Sequence, residues 1–306
     1  VAMCGISGIM YKKGRPQSLA PVGEDLVKML EPLTHRGKDS SGITVAGEYL
    51  EEDLIIRIWT DSEERAPDIL ARSEEVVLRV GGVIKSRSSR GEFLRLTVNY
   101  EGEIPTLAEA LLNTEGVELH SIGEVSEVIK DVGTPFFMDR KHQVSQLKGT
   151  HGIGHVRMAT ESRVDISHSH PFWAYPFPDV TVVHNGQLTN YHKLKRMHED
   201  RGHRFQTEND SELIAVYLAD KLARGETLEQ ALRDSVDQLD GTFTYLVSTK
   251  DGLGYAKDEW SAKPLVTMET EDVVAIASEE VALRRVFSEE IDRLEPQQHE
   301  VMTWLL

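Results

Sequence analysis

The stretch that decides the fold is CGISGIMY, residues 4–11. Small and apolar residues alternate along it, and Gly14 and Pro16 follow soon after. A short apolar run closed by such residues is typical of a strand buried inside a sheet. The stretch opens with Cys4, the single cysteine of the chain, which excludes an intrachain disulfide and any zinc site built from several cysteines.

Cys4 is preceded only by Val1, Ala2 and Met3. A lone cysteine is most often a small buried hydrophobic residue. At the first position of a chain, however, the α-amino group, with a pKa of about 7.7–8.0, can take the proton from the thiol of its own residue. A start at Met3 followed by loss of that methionine would expose Cys4, so we expect the mature chain to begin there with a nucleophile.

The composition is that of a soluble globular protein, with 40% hydrophobic and 28% charged residues among 306. No apolar run reaches the roughly 18 residues that a membrane-spanning helix needs, and the first residues do not form a secretion signal. A cytoplasmic location is therefore expected. The formal net charge of −17 disfavours nucleic acid and anionic membrane surfaces as partners.

Helices and strands are predicted in blocks rather than in strict alternation, which favours a layered α+β fold with mostly antiparallel sheets. The helix at 227–239 carries the clearest local signal, a capping box of Thr227 with Gln230. The predicted helices lie at 21–32, 190–202, 210–223 and 227–239, and the predicted strands at 4–11, 150–160, 179–186, 242–248, 252–257, 265–268 and 273–278. Residues 35–45 are predicted as a polar loop that runs into a strand.

The region of about 50–149 differs in character from its flanks, with charge runs and short mixed elements. Strands are predicted at 75–83 and 93–100, and helices at 106–112 and 124–131. We find no catalytic motif there. We interpret the region as an elaboration of a single domain that covers residues 4–306.

Six short motifs follow one another along the chain, and together they carry a resemblance. They are MCGISGI (3–9), HRGKDSSGI (35–43), GHVRMAT (154–160), SHP (169–171), VVHNGQLTNY (182–191) and TENDSELI (207–214). In this order, with a cysteine near the start, they resemble the class II glutamine amidotransferase domain of the N-terminal-nucleophile hydrolases. The resemblance covers residues 4 to about 286, apart from the elaboration, and implies a four-layer αββα sandwich.

The resemblance assigns the acyl-transfer chemistry to Cys4, Asn185 and Gly186. Cys4 would attack the amide carbon of glutamine and pass through a glutamyl thioester. Asn185 and Gly186 would stabilise the oxyanion through a side-chain amide and a backbone N–H, donors of the kind such intermediates require. An Asn-Gly pair is also typical of a tight turn between strands, and the sequence permits both interpretations.

The substrate head group is assigned by the same resemblance to Arg157 and Asp210. Arg157 would hold the α-carboxylate, for which a planar bidentate donor is well suited, and Asp210 would hold the α-ammonium. Arg157 could instead form a surface ion pair, and Asp210 could simply cap a helix.

The resemblance places three further residues near the reaction. Arg36 matches a position close to the thiol or covering the substrate, and Thr160 and His170 match pocket positions. A purely structural role stays open for all three. Glu161 stands where some relatives carry a histidine, which leaves that pocket edge open. The remaining histidines show no spacing typical of a metal site, so we expect no metal.

The resemblance is greatest to stand-alone amidotransferase subunits related to the first domain of glutamate synthase, including those of N-methylglutamate synthase systems. It implies no cofactor on this chain and a separate, flavin-containing synthase subunit that receives the ammonia. Three alternatives stay open: an amidotransferase for another acceptor such as a phosphosugar, a catalytically silent glutamine-binding or regulatory protein, and an amidase acting on peptides or acyl compounds.

Overall fold

The computed structural model describes residues 4–12, 19–47, 49–50, 53–158, 165–287 and 293–306. The strands are β1 (Gly5–Tyr11), β2 (Ser40–Ala46), β3 (Asp53–Thr60), β4 (Val83–Arg90), β5 (Phe93–Asn99), β6 (Val117–Gly123), β7 (Ser126–Val132), β8 (His151–Arg157), β9 (Phe172–Trp173), β10 (Thr181–Leu188), β11 (Gly241–Thr249), β12 (Gly252–Lys257), β13 (Val266–Glu269), β14 (Val273–Ala277), β15 (Arg293–Leu294) and β16 (Val301–Leu305). The α-helices are α1 (Val22–Leu30), α2 (Ala66–Arg79), α3 (Ile104–Leu112), α4 (Pro135–His142), α5 (Tyr191–Glu199), α6 (Asp210–Ala223), α7 (Leu228–Gln238) and α8 (Glu280–Leu283). Two 3₁₀-helices lie at Glu31–Arg36 and Val144–Gln146.

Two antiparallel sheets form the centre of the molecule. The first has the strand order β15-β13-β14-β1-β8-β2-β7, and the second has the order β16-β12-β11-β10-β9. Their inner faces share one apolar cluster, in which Ile6 and Met10 of β1 meet Val183, Leu246 and Tyr255 of the second sheet. The two sheets therefore pack face to face.

Strand β1 explains why the opening stretch is apolar on both faces. Ile6 and Met10 belong to the cluster between the sheets, whereas Ile9 belongs to the cluster beneath α1. Gly8 faces the second sheet, where an added Cβ would lie 3.2 Å from Leu246 Cδ1. Since successive side chains alternate between faces, only a strand buried on both sides accommodates this sequence.

Helices cover the outer faces of both sheets. Leu26 and Leu30 of α1 pack on the seven-stranded sheet, and Leu213 of α6 and Leu232 of α7 pack on the five-stranded one. The predicted four-layer αββα sandwich is therefore confirmed. The bounds of these helices agree closely with the prediction.

Within the predicted elaboration, residues 53–123 contain a separate sheet with the strand order β4-β5-β3-β6. Its core of Ile56, Leu96 and Leu107 includes Trp173 and Tyr175 from the main sandwich. The chain then returns as β7 at the edge of the seven-stranded sheet, with all seven of its residues paired with β2.

Two local predictions in this region were wrong. Residues 75–79 end the helix α2, whose apolar side packs on the separate sheet through Ile69, Val76 and Val77, so the run of valines belongs to a helix face. The helix predicted at 124–131 is wrong, because Ser126–Val132 form the strand β7. No helix among the described residues has the length and apolarity required to cross a membrane.

Candidate active site

Cys4 lies directly before β1, in the middle of the seven-stranded sheet, and it is partly buried. Its Sγ lies 3.9 Å from the carbonyl oxygen of Met158, the residue that follows β8. Burial raises the pKa of the thiol, although the Met158 contact and the positive charges of Arg157 and Arg36 act in the opposite direction. A thiol with a raised pKa needs a base beside it to become a nucleophile at neutral pH.

The carbonyl oxygen of Cys4 accepts two side-chain hydrogen bonds. Asn185 Nδ2 donates one at 3.0 Å, and Arg36 Nε donates the other at 3.0 Å. Because an amide nitrogen carries two hydrogens, Asn185 Nδ2 has a second hydrogen that this bond does not use. The structure thus brings together three of the residues singled out in the sequence.

Asn185 and Gly186 lie within β10, and the tight turn considered from the sequence is wrong. Both residues pair with β11, and the pairing continues to Leu188. Gly186 has φ +149, and an added Cβ would lie 2.0 Å from the carbonyl oxygen of Thr242. The position therefore requires glycine for both its backbone angle and its close approach to β11.

Two buried histidine side chains, those of His155 and His170, hold the backbone of His184, the residue immediately before Asn185. The N–H of His184 donates to His170 Nδ1 at 3.2 Å, and His155 Nε2 donates to the carbonyl oxygen of His184 at 3.2 Å. The rings of His155 and His170 stack at 4.0 Å. Since an N–H only donates and a carbonyl only accepts, these contacts require the proton of His155 on Nε2 and leave His170 Nδ1 unprotonated.

These imidazoles replace a missing strand neighbour. Strand β9 pairs with β10 only at Thr181 and Val182, so it ends before His184. Burial lowers the pKa of His155 to about 3 and lowers that of His170 well below its usual value. Both rings are therefore neutral at physiological pH, and they act as fixed hydrogen-bonding groups rather than as charges.

Arg157 is the last residue of β8, and its side chain is 4% exposed. Burial lowers the pKa of the guanidinium, against the attraction of Cys4, Asp165 and Asp39, yet an arginine stays charged in this range. Arg157 therefore provides a buried positive charge close enough to influence the thiol, and a surface ion pair does not describe it.

Asp210 is the first residue of α6, but it does not cap that helix. The capping side chain is that of Asn209, which accepts from the N–H of Ser211 at 2.9 Å. Asp210 Oδ2 instead accepts from the N–H of Leu188 at 3.0 Å, and its Oδ1 lies 3.6 Å from His184 Nδ1. Burial acts to raise its pKa, but the contacts with His184, Leu188 and Ser211 hold that pKa below its usual range.

Arg36, the last residue of the first 3₁₀-helix, donates to the carbonyl oxygen of Cys4 and also pairs with Glu279. No signal in the sequence selects Glu279, because it lies more than 240 residues away along the chain and belongs to none of the motifs. Gly37 packs on the backbone of Arg157, where an added Cβ would lie 2.3 Å from the carbonyl carbon. Thr160 lies outside the described residues.

A cavity of about 390 Å³ lies beside this site and not around Cys4. Its walls come from the separate sheet and α3, from Lys130, and from the segment that carries Phe172 and Trp173. The ring of Phe172 also contacts His170, with 4.9 Å between the ring centroids. The elaboration thus contributes one wall of a cavity that adjoins the histidine stack.

The sandwich, with a thiol at the head of its central strand, has the fold of the N-terminal-nucleophile hydrolases. The Bacillus subtilis glutamine phosphoribosylpyrophosphate amidotransferase structure matches it with a TM-score of 0.61 at 20% identity. That match covers 98% of this chain and 47% of the solved one, so the chain spans about half the length of that protein.

The chain belongs to the glutamine amidotransferase family. Residues 155–285 match the family described as "Glutamine amidotransferase domain". A Methanothermobacter thermautotrophicus protein described as "Putative glutamine amidotransferase" is 41% identical over 96% of this chain and 97% of its own length. The glutamine amidotransferase-like protein GlxB of Rhizobium meliloti is 35% identical over 99% and 98%, respectively. An amidophosphoribosyltransferase of Methanocaldococcus jannaschii is 30% identical over 61% of this chain and 38% of its own length.

Proposed function

We propose that this protein hydrolyses L-glutamine to glutamate and ammonia, with Cys4 as a nucleophile at the mature N-terminus. The observation that carries the proposal is the hydrogen bond of 3.0 Å from Asn185 Nδ2 to the carbonyl oxygen of Cys4. This bond brings the side-chain amide of Asn185 to the residue that carries the thiol, which supports Asn185 as the proposed oxyanion donor.

The proposed reaction has two steps. Cys4 Sγ attacks the amide carbon, its proton is transferred through the α-amino group to the leaving nitrogen, and ammonia leaves behind a glutamyl thioester. Water then attacks the thioester carbon, which releases glutamate and restores the thiol. In both steps the second hydrogen of Asn185 Nδ2 and the N–H of Gly186 would stabilise the oxyanion, and loss of one such donor costs roughly 100–1,000-fold in rate.

Substrate recognition in this proposal uses two charges of opposite sign. Arg157 supplies a buried guanidinium for the α-carboxylate of glutamine. Asp210, whose pKa is held below its usual range, supplies a carboxylate for the α-ammonium. Both charges are close to groups of the Cys4 site, since Arg157 acts on the pKa of the thiol and Asp210 lies beside the strand that carries Asn185.

We further propose that the ammonia passes to a separate synthase subunit, with a flavin-containing, glutamate synthase-like enzyme as the first candidate. The amidophosphoribosyltransferase relatives support a second candidate, a phosphoribosyl acceptor. The two are distinguished with glutamine labelled with ¹⁵N at the amide. In one reaction the protein and the labelled glutamine are mixed with 2-oxoglutarate and a flavin-containing synthase. In the other they are mixed with phosphoribosylpyrophosphate and its transferase. The product that gains ¹⁵N identifies the acceptor.

The first experiment is an intact mass of the purified chain before and after exposure to a reactive glutamine analogue. A mass that starts at Cys4, with one adduct mapped to that residue, supports both the nucleophile and the glutamine pocket. A chain that retains Val1, Ala2 and Met3 and takes no label contradicts the proposal for that form. A chain that binds glutamine but neither reacts nor releases ammonia supports the alternative of a catalytically silent glutamine-binding protein.

A further inference from the structure

Three side chains of the helical layer on the five-stranded sheet, His198, His203 and Asp220, lie together. One ring nitrogen from each histidine and one carboxylate oxygen are all within 4.8 Å of one another. The closest pair is His203 Nε2 and Asp220 Oδ1, at 3.1 Å. Imidazole nitrogens with a carboxylate oxygen are a ligand set typical of Zn²⁺.

The chain brings the two histidines together by the way α5 ends. The N–H of His203 donates to the carbonyl oxygen of His198 at 3.0 Å, which reverses the chain after the helix. Gly202, with φ +94, permits that reversal. Asp220 comes from the neighbouring helix α6, so the cluster joins the end of one helix to the side of another.

The two oxygens of Asp220 have different partners. Oδ1 faces His203, whereas Oδ2 accepts from Arg224 at 2.6 Å and lies 3.5 Å from Arg201. The arginines therefore hold the carboxylate from behind and leave Oδ1 directed to the histidines, as groups around a metal-binding carboxylate commonly do.

The side chain of His198 is buried, with the residue 3% exposed. Its Nδ1 has no hydrogen-bond partner among the described residues. A buried polar nitrogen without a hydrogen-bond partner lowers the stability of the fold, and a bound metal ion would offset that free-energy cost.

We propose that His198, His203 and Asp220 bind one Zn²⁺ ion, with water as the fourth ligand. Ligands about 2.0–2.1 Å from a tetrahedral ion lie about 3.3 Å apart, a spacing that the His203–Asp220 pair already approaches. Since all three ligand atoms lie within 4.8 Å of one another, His198 reaches that spacing by a shift of at most about 1.5 Å. The ion would fasten the end of α5 to α6. This site is independent of the glutaminase reaction.

The test uses the whole protein, freed of metal by a chelator and gel filtration. Co²⁺ is titrated as a visible probe, because its absorption reports tetrahedral coordination, and Zn²⁺ then displaces it. We expect one equivalent of either ion. The variant His203→Asn should bind at least about tenfold more weakly. The control variant His192→Asn changes an exposed histidine of α5, and it should bind the ion as tightly as the unchanged protein does.

Two results would overturn the proposal. One is the absence of tetrahedral Co²⁺ absorption and of stoichiometric Zn²⁺ in the unchanged protein. The other is a His203→Asn variant with unchanged affinity, which would leave His203 and Asp220 as a plain hydrogen-bonded pair. Since His203 lies near the surface, circular dichroism of the variant verifies that it is folded.

Discussion

Replacing His155 tests whether the imidazoles behind β10 position the proposed oxyanion donor. His155→Met removes the donor to the carbonyl oxygen of His184, the residue before Asn185. His155→Gln is the matched control, because glutamine has an amide nitrogen as many bonds from Cβ as Nε2 is in histidine. Both variants lose the stacking with His170 equally, so their difference isolates the hydrogen bond.

The magnitude follows from the buried carbonyl left without a partner. An unsatisfied buried acceptor costs about 1–3 kcal/mol, and every 1.4 kcal/mol corresponds to about tenfold in rate. If the strand shifts to relieve that cost, Asn185 moves from its position beside Cys4. The largest expected effect is that of losing the oxyanion donor completely, which lowers kcat roughly 100–1,000-fold. We therefore expect kcat of His155→Met to fall about 5- to 1,000-fold, with a much smaller change in KM.

The assay measures glutamine hydrolysis together with alkylation of Cys4 by iodoacetamide. Alkylation forms no oxyanion, so its rate should be the same in both variants and in the unchanged protein. We expect His155→Gln to recover most of kcat. Equal kcat values in the methionine and glutamine variants would refute the reasoning. Slowed alkylation in His155→Met would instead indicate general damage to the site.

Three further predictions concern single positions. Arg157→Leu should lower kcat/KM for glutamine at least about 30-fold, because a charged partner of the α-carboxylate is lost. If the site is instead that of a generic amidase, turnover of an amide that lacks the α-carboxylate should change little in this variant. Gly186→Ala should lower the free energy of unfolding by about 1–3 kcal/mol or more in urea denaturation, because its Cβ would lie 2.0 Å from a backbone oxygen, whereas Gly225→Ala, with φ +88 and open space, should cost less. Since the pKa of His155 is about 3 in the folded state and about 6.5 when unfolded, protons favour the unfolded state below pH 6.5. Its contribution to stability is complete above pH 6.5 and is lost toward pH 3, so the difference in unfolding free energy between pH 7 and pH 5 should be about 2 kcal/mol smaller in His155→Gln. An equal difference would contradict the pKa assignment.

The sequence predicted those elements whose signals are local. Helix α6 was predicted with its observed bounds, and the capping box of Thr227 with Gln230 opens α7 as expected. Strand β1 was predicted from the alternation of small and apolar residues along residues 4–11. In each case the deciding residues are neighbours along the chain.

Strand β7 shows why other elements could not be predicted. It contains Glu127, Lys130 and Asp131, which resemble the polar side of a helix, yet all three are buried. Glu127 is paired with Arg57 and Arg95, and Asp131 with His142. Since those partners come from other elements, the sequence of the strand does not reveal that its charges are compensated.

The candidate site divides in the same way. Cys4, Asn185, Arg157 and Asp210 were found because each lies in a recognisable motif. The hydrogen bonds that position them could not be predicted, because they join segments distant in sequence, as in the contact of Arg36 with Glu279. Whether each residue has the role assigned to it stays a prediction.

The hydrogen bond between Asn185 and Cys4 crosses from one sheet to the other. Cys4 belongs to the seven-stranded sheet, and Asn185 belongs to the five-stranded sheet. Their separation therefore depends on how the two sheets pack, and the hydrogen bond from His155 of β8 to the carbonyl oxygen of His184 in β10 also joins the sheets. A small sliding of one sheet over the other would separate the proposed nucleophile from its proposed oxyanion donor without unfolding either sheet. A partner that contacts both sheets would therefore keep Cys4 and Asn185 in register, and it would control the proposed reaction in that way.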